Sequence, residues 1–113
     1  MSEFTTPRVI RLAETESFME GDEHCRRYVS SGKITFGTSA LQPGQRGAVD
    51  TGHPDSHEVF FCIRGTVLVH TVGSDHFELR AGDAIVIPEG IPHTLINVGD
   101  EPALLSWSAA PSP

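Results

Sequence analysis

Between Gly82 and Asn97 the chain alternates stiff and apolar stretches in a way that leaves few folds open. Residues 84–87 have the β-branched composition of a strand, and Pro88 ends it, because proline has no N–H to give to a ladder. Gly90 turns the chain, and Pro92 stiffens the backbone just before His93 opens the next apolar run. The aim of an imidazole depends on the backbone beneath it. A rigid turn directly upstream of a histidine is therefore what holding a ring nitrogen in fixed geometry requires.

The rest of the chain repeats this rhythm of short apolar runs and turns. Its 113 residues allow one core, and its 11 Gly and 8 Pro fall between the apolar runs, as punctuation and not as disorder. Strands are expected at residues 26–30, 33–41, 58–63, 66–72, 76–79, 84–87, 93–98 and 103–108, with turns at 31–32, 43–44, 64–65, 73–75, 81–83, 88–90 and 99–102. Residues 1–24 read as a polar, acidic arm with a short helical turn over 13–19, and 25–113 as a single domain. So many short strands without a convincing helix point to an all-β, antiparallel jelly-roll barrel, an architecture that also protects strand edges.

The net charge of −7 and the absence of a basic cluster argue against nucleic acid or an anionic membrane as partner. No apolar stretch approaches the roughly 20 residues that span a bilayer, and residues 1–11 have no apolar signal core, so a cytoplasmic location is expected. Cys25 and Cys62 form no Cys-x-x-Cys motif and are read as a reduced thiol and a small buried hydrophobe.

The spacing Gly82-x5-Pro88-x-Gly90-x2-His93-x3-Asn97 resembles the second signature of the cupin superfamily at every defined position. The first signature, Gly-x5-His-x-His-x3,4-Glu-x6-Gly, is met in part. Glu58 and Gly65 fit its last half, His53 stands at the second histidine position, and Thr51 stands where another histidine is expected. Counting forward from Gly44 lands on Asp50 and Gly52, so this loop is one residue longer than the pattern. The resemblance implies a small single-domain cupin with a double-stranded β-helix fold.

It also implies a divalent metal, Fe, Zn, Mn or Ni, held by His53, Glu58 and His93. Two neutral nitrogens and one anionic oxygen hold such an ion while leaving positions open for substrate or dioxygen. Glu58 is either a ligand or a general base, since a carboxylate facing a barrel interior is costly unless paired or metal-bound. Additional ligand candidates are His57, Asp50 and His70. Each has a plainer reading: a solvent-facing or dimer-contact histidine, a turn cap, and a hydrogen-bonded core histidine. Asn97 reads as structural. Phe60, Leu95 and Trp107 would make a mostly dry cavity; Phe36 fits a core position better, and Arg46 either meets an anionic substrate or is a solvated surface residue.

Residues 58–63 alternate Glu58, Phe60 and Cys62 with Val59, Phe61 and Ile63, so both strand faces are apolar apart from Glu58. Such a strand needs cover on both sides. A second subunit is the simpler source and the arm the alternative, so a homodimer is expected. The functional expectation is a metal-dependent enzyme acting on a small molecule, by iron oxygenase or by metal-assisted isomerase or cyclase chemistry. A non-catalytic metal- or metabolite-binding module is the competing class.

Overall fold

The computed structural model describes residues 4–71, 73 and 75–113. Nine strands follow a short 3-10 turn at Leu12–Glu14: β1 Glu16–Glu20, β2 Glu23–Ser30, β3 Thr35–Leu41, β4 His57–Arg64, β5 Thr66–Thr71, β6 His76–Arg80, β7 Ala84–Ile87, β8 His93–Asn97 and β9 Ala103–Ala110. They form an antiparallel six-stranded sheet, β1-β2-β3-β9-β4-β7, and a three-stranded sheet, β6-β5-β8. This is the all-β jelly roll expected from the strand spacing, in the double-stranded β-helix form that the cupin resemblance implies. Of the expected elements, Val72 at the end of the fourth strand and Ser74 in the following turn lie outside the described residues, as do residues 1–3.

One expectation is corrected near the N-terminus. The helical turn over residues 13–19 is confined to Leu12–Glu14, and β1 begins at Glu16. The reason is the Gly21-Asp22 pair, which joins β1 to β2 through two residues, Glu20 facing Glu23 in register. Glycine in second position of such a tight turn accepts a positive φ, 62° here, at no steric cost. Part of the stretch read as an arm is therefore paired into the large sheet.

Residues 44–50 lace the two sheets together on one side. The Gly44, Gly47 and Asp50 amides donate to the carbonyls of Asn97, Leu95 and His93 on β8 at 2.9–3.0 Å, while Ala48 donates to the Glu20 carbonyl at 3.0 Å. The loop thus runs between β8 and the β1–β2 hairpin. Asn97 pins it from within: its side-chain amide donates to the Leu41 and Glu101 carbonyls at 2.9 and 3.0 Å, and its Oδ1 accepts from Gly99. This is the structural role expected for Asn97.

The core lies between the sheets and is built from inward residues of both, with Phe60, Cys62, Leu105 and Trp107 on the large sheet and Val67, Val69 and Leu95 on the small one. Along β4 the alternation is sharp. Glu58, Phe60 and Cys62 are buried, whereas Val59, Phe61 and Ile63 are 38%, 41% and 46% exposed. β1 lies two strands beyond β3 in the sheet order, away from β4, and the described residues of the arm leave this outer face exposed. No helix among the described residues is long and apolar enough to cross a membrane.

Candidate metal centre

His93 opens β8 and is buried, with its ring held from two sides. Its Nδ1 lies 2.9 Å from the Ile91 carbonyl. A carbonyl only accepts, so Nδ1 carries the proton and Nε2 presents a lone pair to the cavity. Phe60 meets the ring edge-on, 5.5 Å between centroids. The Pro88–Pro92 turn supplies the Ile91 carbonyl, which is how the rigid segment aims the imidazole.

Asp50 is tied to the same place through its backbone, which exchanges hydrogen bonds with His93 at 2.9 Å in both directions. Its Oδ1 accepts from the Gly52 amide at 2.8 Å, leaving Oδ2 3.7 Å from both His53 Nε2 and His93 Nε2. Gly52 has φ +92°, and a Cβ there would stand 2.8 Å from the Ile91 nitrogen. Only glycine lets this loop nest against the turn before His93. The Gly90 amide donates to the His53 carbonyl at 2.9 Å and fixes the second imidazole. Glu58, inward-facing on β4, completes the group, with Oε1 3.1 Å from His93 Nε2 and 3.6 Å from His53 Nε2.

His93 Nε2 and Glu58 Oε1 are buried without a hydrogen-bond partner. A nitrogen lone pair facing a carboxylate oxygen is repulsive unless positive charge stands between them, either a proton on the ring or a cation. Burial alone would lower the His93 pKa, but the Glu58 carboxylate beside Nε2, the Ile91 carbonyl at Nδ1 and the charge of Asp50 outweigh it and hold the value above the ordinary 6.5. Donor atoms sharing a divalent ion at about 2.1 Å lie roughly 3.0–3.5 Å apart, close to the separations here. The donor set of imidazole nitrogen and carboxylate oxygen fits Fe, Zn, Mn or Ni.

The structure thus brings His53, Glu58, His93 and Asp50 together, with Asp50 combining the turn-capping reading and the ligand reading. It does not bring in His57 or His70. His57 precedes Glu58 on β4 and points the other way, pairing with Glu89 on the surface. His70 shares its face of β5 with Leu68, but that face is the outer one: Val67 and Val69 are fully buried, and His70 stacks on His76 at 4.4 Å. Thr51 is exposed. Phe60, Leu95 and Trp107 line the cavity, while Phe36 packs edge-on against Tyr28 outside the core and Arg46 is an exposed loop residue.

The cavity measures about 660 Å³ including its open mouth, and it extends beyond this centre to Glu20, Glu23 and Cys25. Glu20 and Glu23 escape a sequence reading that assigns residues 1–24 to an arm. The signal was the two-residue Gly21-Asp22 turn between alternating stretches. Glu23 Oε2 accepts hydrogen bonds from Ser39 and Cys25, and Trp107 Nε1 donates to Ser39 Oγ at 3.0 Å. Burial raises the Glu23 and Glu20 carboxyls above their usual range, and Asp50 and Glu58 add to the shift at Glu20. Burial and the Glu23 charge push the Cys25 thiol up to about 12. Both cysteines are free and buried.

Three similarities place this architecture. The chain is 38% identical over 114 residues to the auxin-binding protein ABP19a of Prunus persica, covering 96% of this chain and 52% of that protein. It therefore spans about half the length of that relative. It is 33% identical over 110 residues to the polyketide synthase CurC of Streptomyces cyaneus, covering 93% of this chain and 70% of CurC. An uncharacterised double-stranded β-helix protein from Klebsiella pneumoniae superposes with a TM-score of 0.80 at 22% identity, over 95% of this chain and 92% of that one. The cupin domain family matches residues 37–108, from β3 to β9 and across Asp50, His53, Glu58 and His93, and the chain belongs to the cupins.

Proposed function

We propose that this cupin is a metal-dependent enzyme that moves a proton on a small carbonyl compound, in the manner of an isomerase or cyclase. The observation that carries the reading is the presence of two carboxylates, Asp50 and Glu58, around two imidazoles at 3.1–3.7 Å. Asp50, Glu58 and His93 bring ligand atoms within 4.8 Å of one another, and His53 stands 3.6–3.7 Å from both carboxylates; in this reading Asp50 and the two imidazoles hold the ion and Glu58 carries the proton. A divalent ion held there supplies the Lewis acidity that stabilises an enolate oxygen. Glu58 Oε1 takes a proton from the carbon beside the carbonyl, the C–H pair moves toward the carbonyl oxygen, and the same carboxyl returns the proton at another atom. The Phe60 and Trp107 rings limit water around the reacting carbon. The similarity to a polyketide synthase protein supports a carbonyl-rich substrate.

Metal analysis of protein purified without chelator should find about one divalent ion per chain, as a single centre requires, and His93→Ala should lose it. Proton–deuterium exchange on hydroxyacetone in D2O, followed by NMR, should proceed without oxygen uptake. Glu58→Gln should slow it by about 10²–10⁴-fold with the metal retained. If Glu58→Gln loses the metal instead, and the iron-loaded protein consumes dioxygen with diketones, Glu58 is a ligand and the two-histidine-one-carboxylate oxygenase reading replaces this one. The similarity to an auxin-binding protein favours a second reading, a metabolite-binding module, which tight binding without turnover would establish.

The protein acts as a cytoplasmic homodimer in this reading. The outer face of β4, with Val59, Phe61 and Ile63 beside Val86 on β7 and Leu104 on β9, is apolar and exposed along neighbouring strands. A second copy buries it through a self-complementary contact.

A further inference from the structure

The cavity has a second polar end, and its chemistry restricts what the metal centre can be offered. Register across the large sheet locates it. Glu58 on β4 sits opposite Ala109 on β9 and, through it, Thr35 on β3. Glu23 belongs to β2, beside Glu20 on β1, at the other edge of the same inward surface. Phe60 and Trp107, paired across β4 and β9, lie between the two ends. All of these residues line one cavity.

The Glu23 end is built, and is more than an accumulation of acids. Glu23 is 6% exposed. Its Oε2 takes hydrogen bonds from Ser39 and Cys25, and Ser39 is itself fixed by the Trp107 indole. Among the described residues nothing donates to Oε1. Gly47 leaves that oxygen its room, since a Cβ at residue 47 would stand 2.3 Å from it. The result is a buried acceptor held in one orientation with its second oxygen unused, in the same cavity as the unpartnered Glu58 Oε1 and His93 Nε2.

Charge points the same way. Four carboxyl side chains line the cavity: Glu20, Glu23, Asp50 and Glu58. The one guanidinium among its walls, Arg27, is engaged by Glu16 and lies over the Phe18 ring. A divalent ion balances Asp50 and Glu58, Arg27 offsets only part of the upward shift of the Glu20 carboxyl, and no cation is among the hydrogen-bond donors to Glu23. A carboxylate arriving beside them would meet like charge, and the Ser39 and Cys25 donors at that end are already given to Glu23.

We propose that the Glu20–Glu23 end selects ligands of zero or positive charge that place a hydroxyl or amine donor on Glu23 Oε1 while their other end occupies the metal centre. Glu23 is thus a specificity-determining residue, and the cavity rejects molecules with a carboxylate at the far end, including simple dicarboxylates. This rests on the metal reading of the Asp50–His53–Glu58–His93 group.

A set of three probes with one metal-binding head and different tails tests it: histamine, 4-(2-hydroxyethyl)imidazole and imidazole-4-acetate, titrated into the cobalt(II)-loaded protein and followed by its visible absorption. The ammonium and hydroxyl tails should bind at least about tenfold more tightly than the carboxylate, as a charge-assisted or well-formed hydrogen bond against a repulsive contact requires. Glu20→Gln/Glu23→Gln should keep its cobalt spectrum and narrow the gap by admitting the carboxylate tail more tightly than the wild type does. A merely structural role for Glu23 would not produce that gain. Equal affinities, or a carboxylate tail that binds best, with cobalt in place would overturn the selectivity alone. Failure to take up cobalt would overturn the metal reading and this proposal together.

Discussion

His93 carries opposite demands at the residue scale. Its raised pKa means that, in the metal-free protein, the fold favours the protonated ring. That contribution to stability is full below the ordinary value of 6.5 and fades as pH rises through the raised one. A divalent ion needs the neutral ring and competes with the same proton. The stabilisation that added zinc gives in thermal unfolding should therefore grow between about pH 6 and about pH 8, and the dependence should vanish in His93→Ala. Glu23 obeys the same sign for a different reason. A carboxyl raised by burial costs stability as pH rises above its unfolded value of 4.5. Glu23→Gln keeps an acceptor for Ser39 and Cys25 without the charge, so its gain in unfolding temperature should be larger at pH 8 than at pH 5. A gain independent of pH would mean that the charge of Glu23 is not what burdens the fold.

At the scale of elements, the loop 44–50 and the turn 88–92 matter more than any strand interior. The loop is held by β8 carbonyls on one side and by the β1–β2 hairpin on the other, so Asp50 is placed by two sheets at once. Asn97 anchors the far end of the arrangement. Asn97→Ala would strip donors from the Leu41 and Glu101 carbonyls and an acceptor from the Gly99 amide. It should cost roughly 1–3 kcal/mol in denaturant unfolding, the range for a buried polar group left unsatisfied. A loss of under ~0.5 kcal/mol would place the loop's anchorage in its backbone pairing alone.

For the whole molecule, two faces of one sheet do different work. The inner face presents Glu58, Phe60 and Trp107 to the cavity, and the outer face leaves Val59, Phe61 and Ile63 exposed, the surface proposed to meet a second copy. Sedimentation should find a dimer. Phe61→Asp should shift it to monomer, because an aspartate at the centre of an apolar contact loses its water without a partner. The variant should still bind metal, since residue 61 faces away from the cavity. A dimer unchanged by this substitution would locate the contact elsewhere.

Much of this was legible in the chain itself, for physical reasons that differ by residue. The alternation at residues 57–64 and the proline and glycine stops at 88–92 act locally, so they fixed strand faces, turns and the aim of His93 without reference to anything distant. The Glu58-x6-Gly65 spacing likewise marked an inward carboxylate. What depended on two strands meeting could not be read locally. Asp50 joined the centre because its backbone pairs with His93, 43 residues on. His70 left it because the curl of the small sheet decided which side of β5 was the inside. Glu20 and Glu23 became part of the cavity only when the first hairpin joined the large sheet, so the sequence determined the barrel and one embedded imidazole, and the tertiary structure decided which acids surround it.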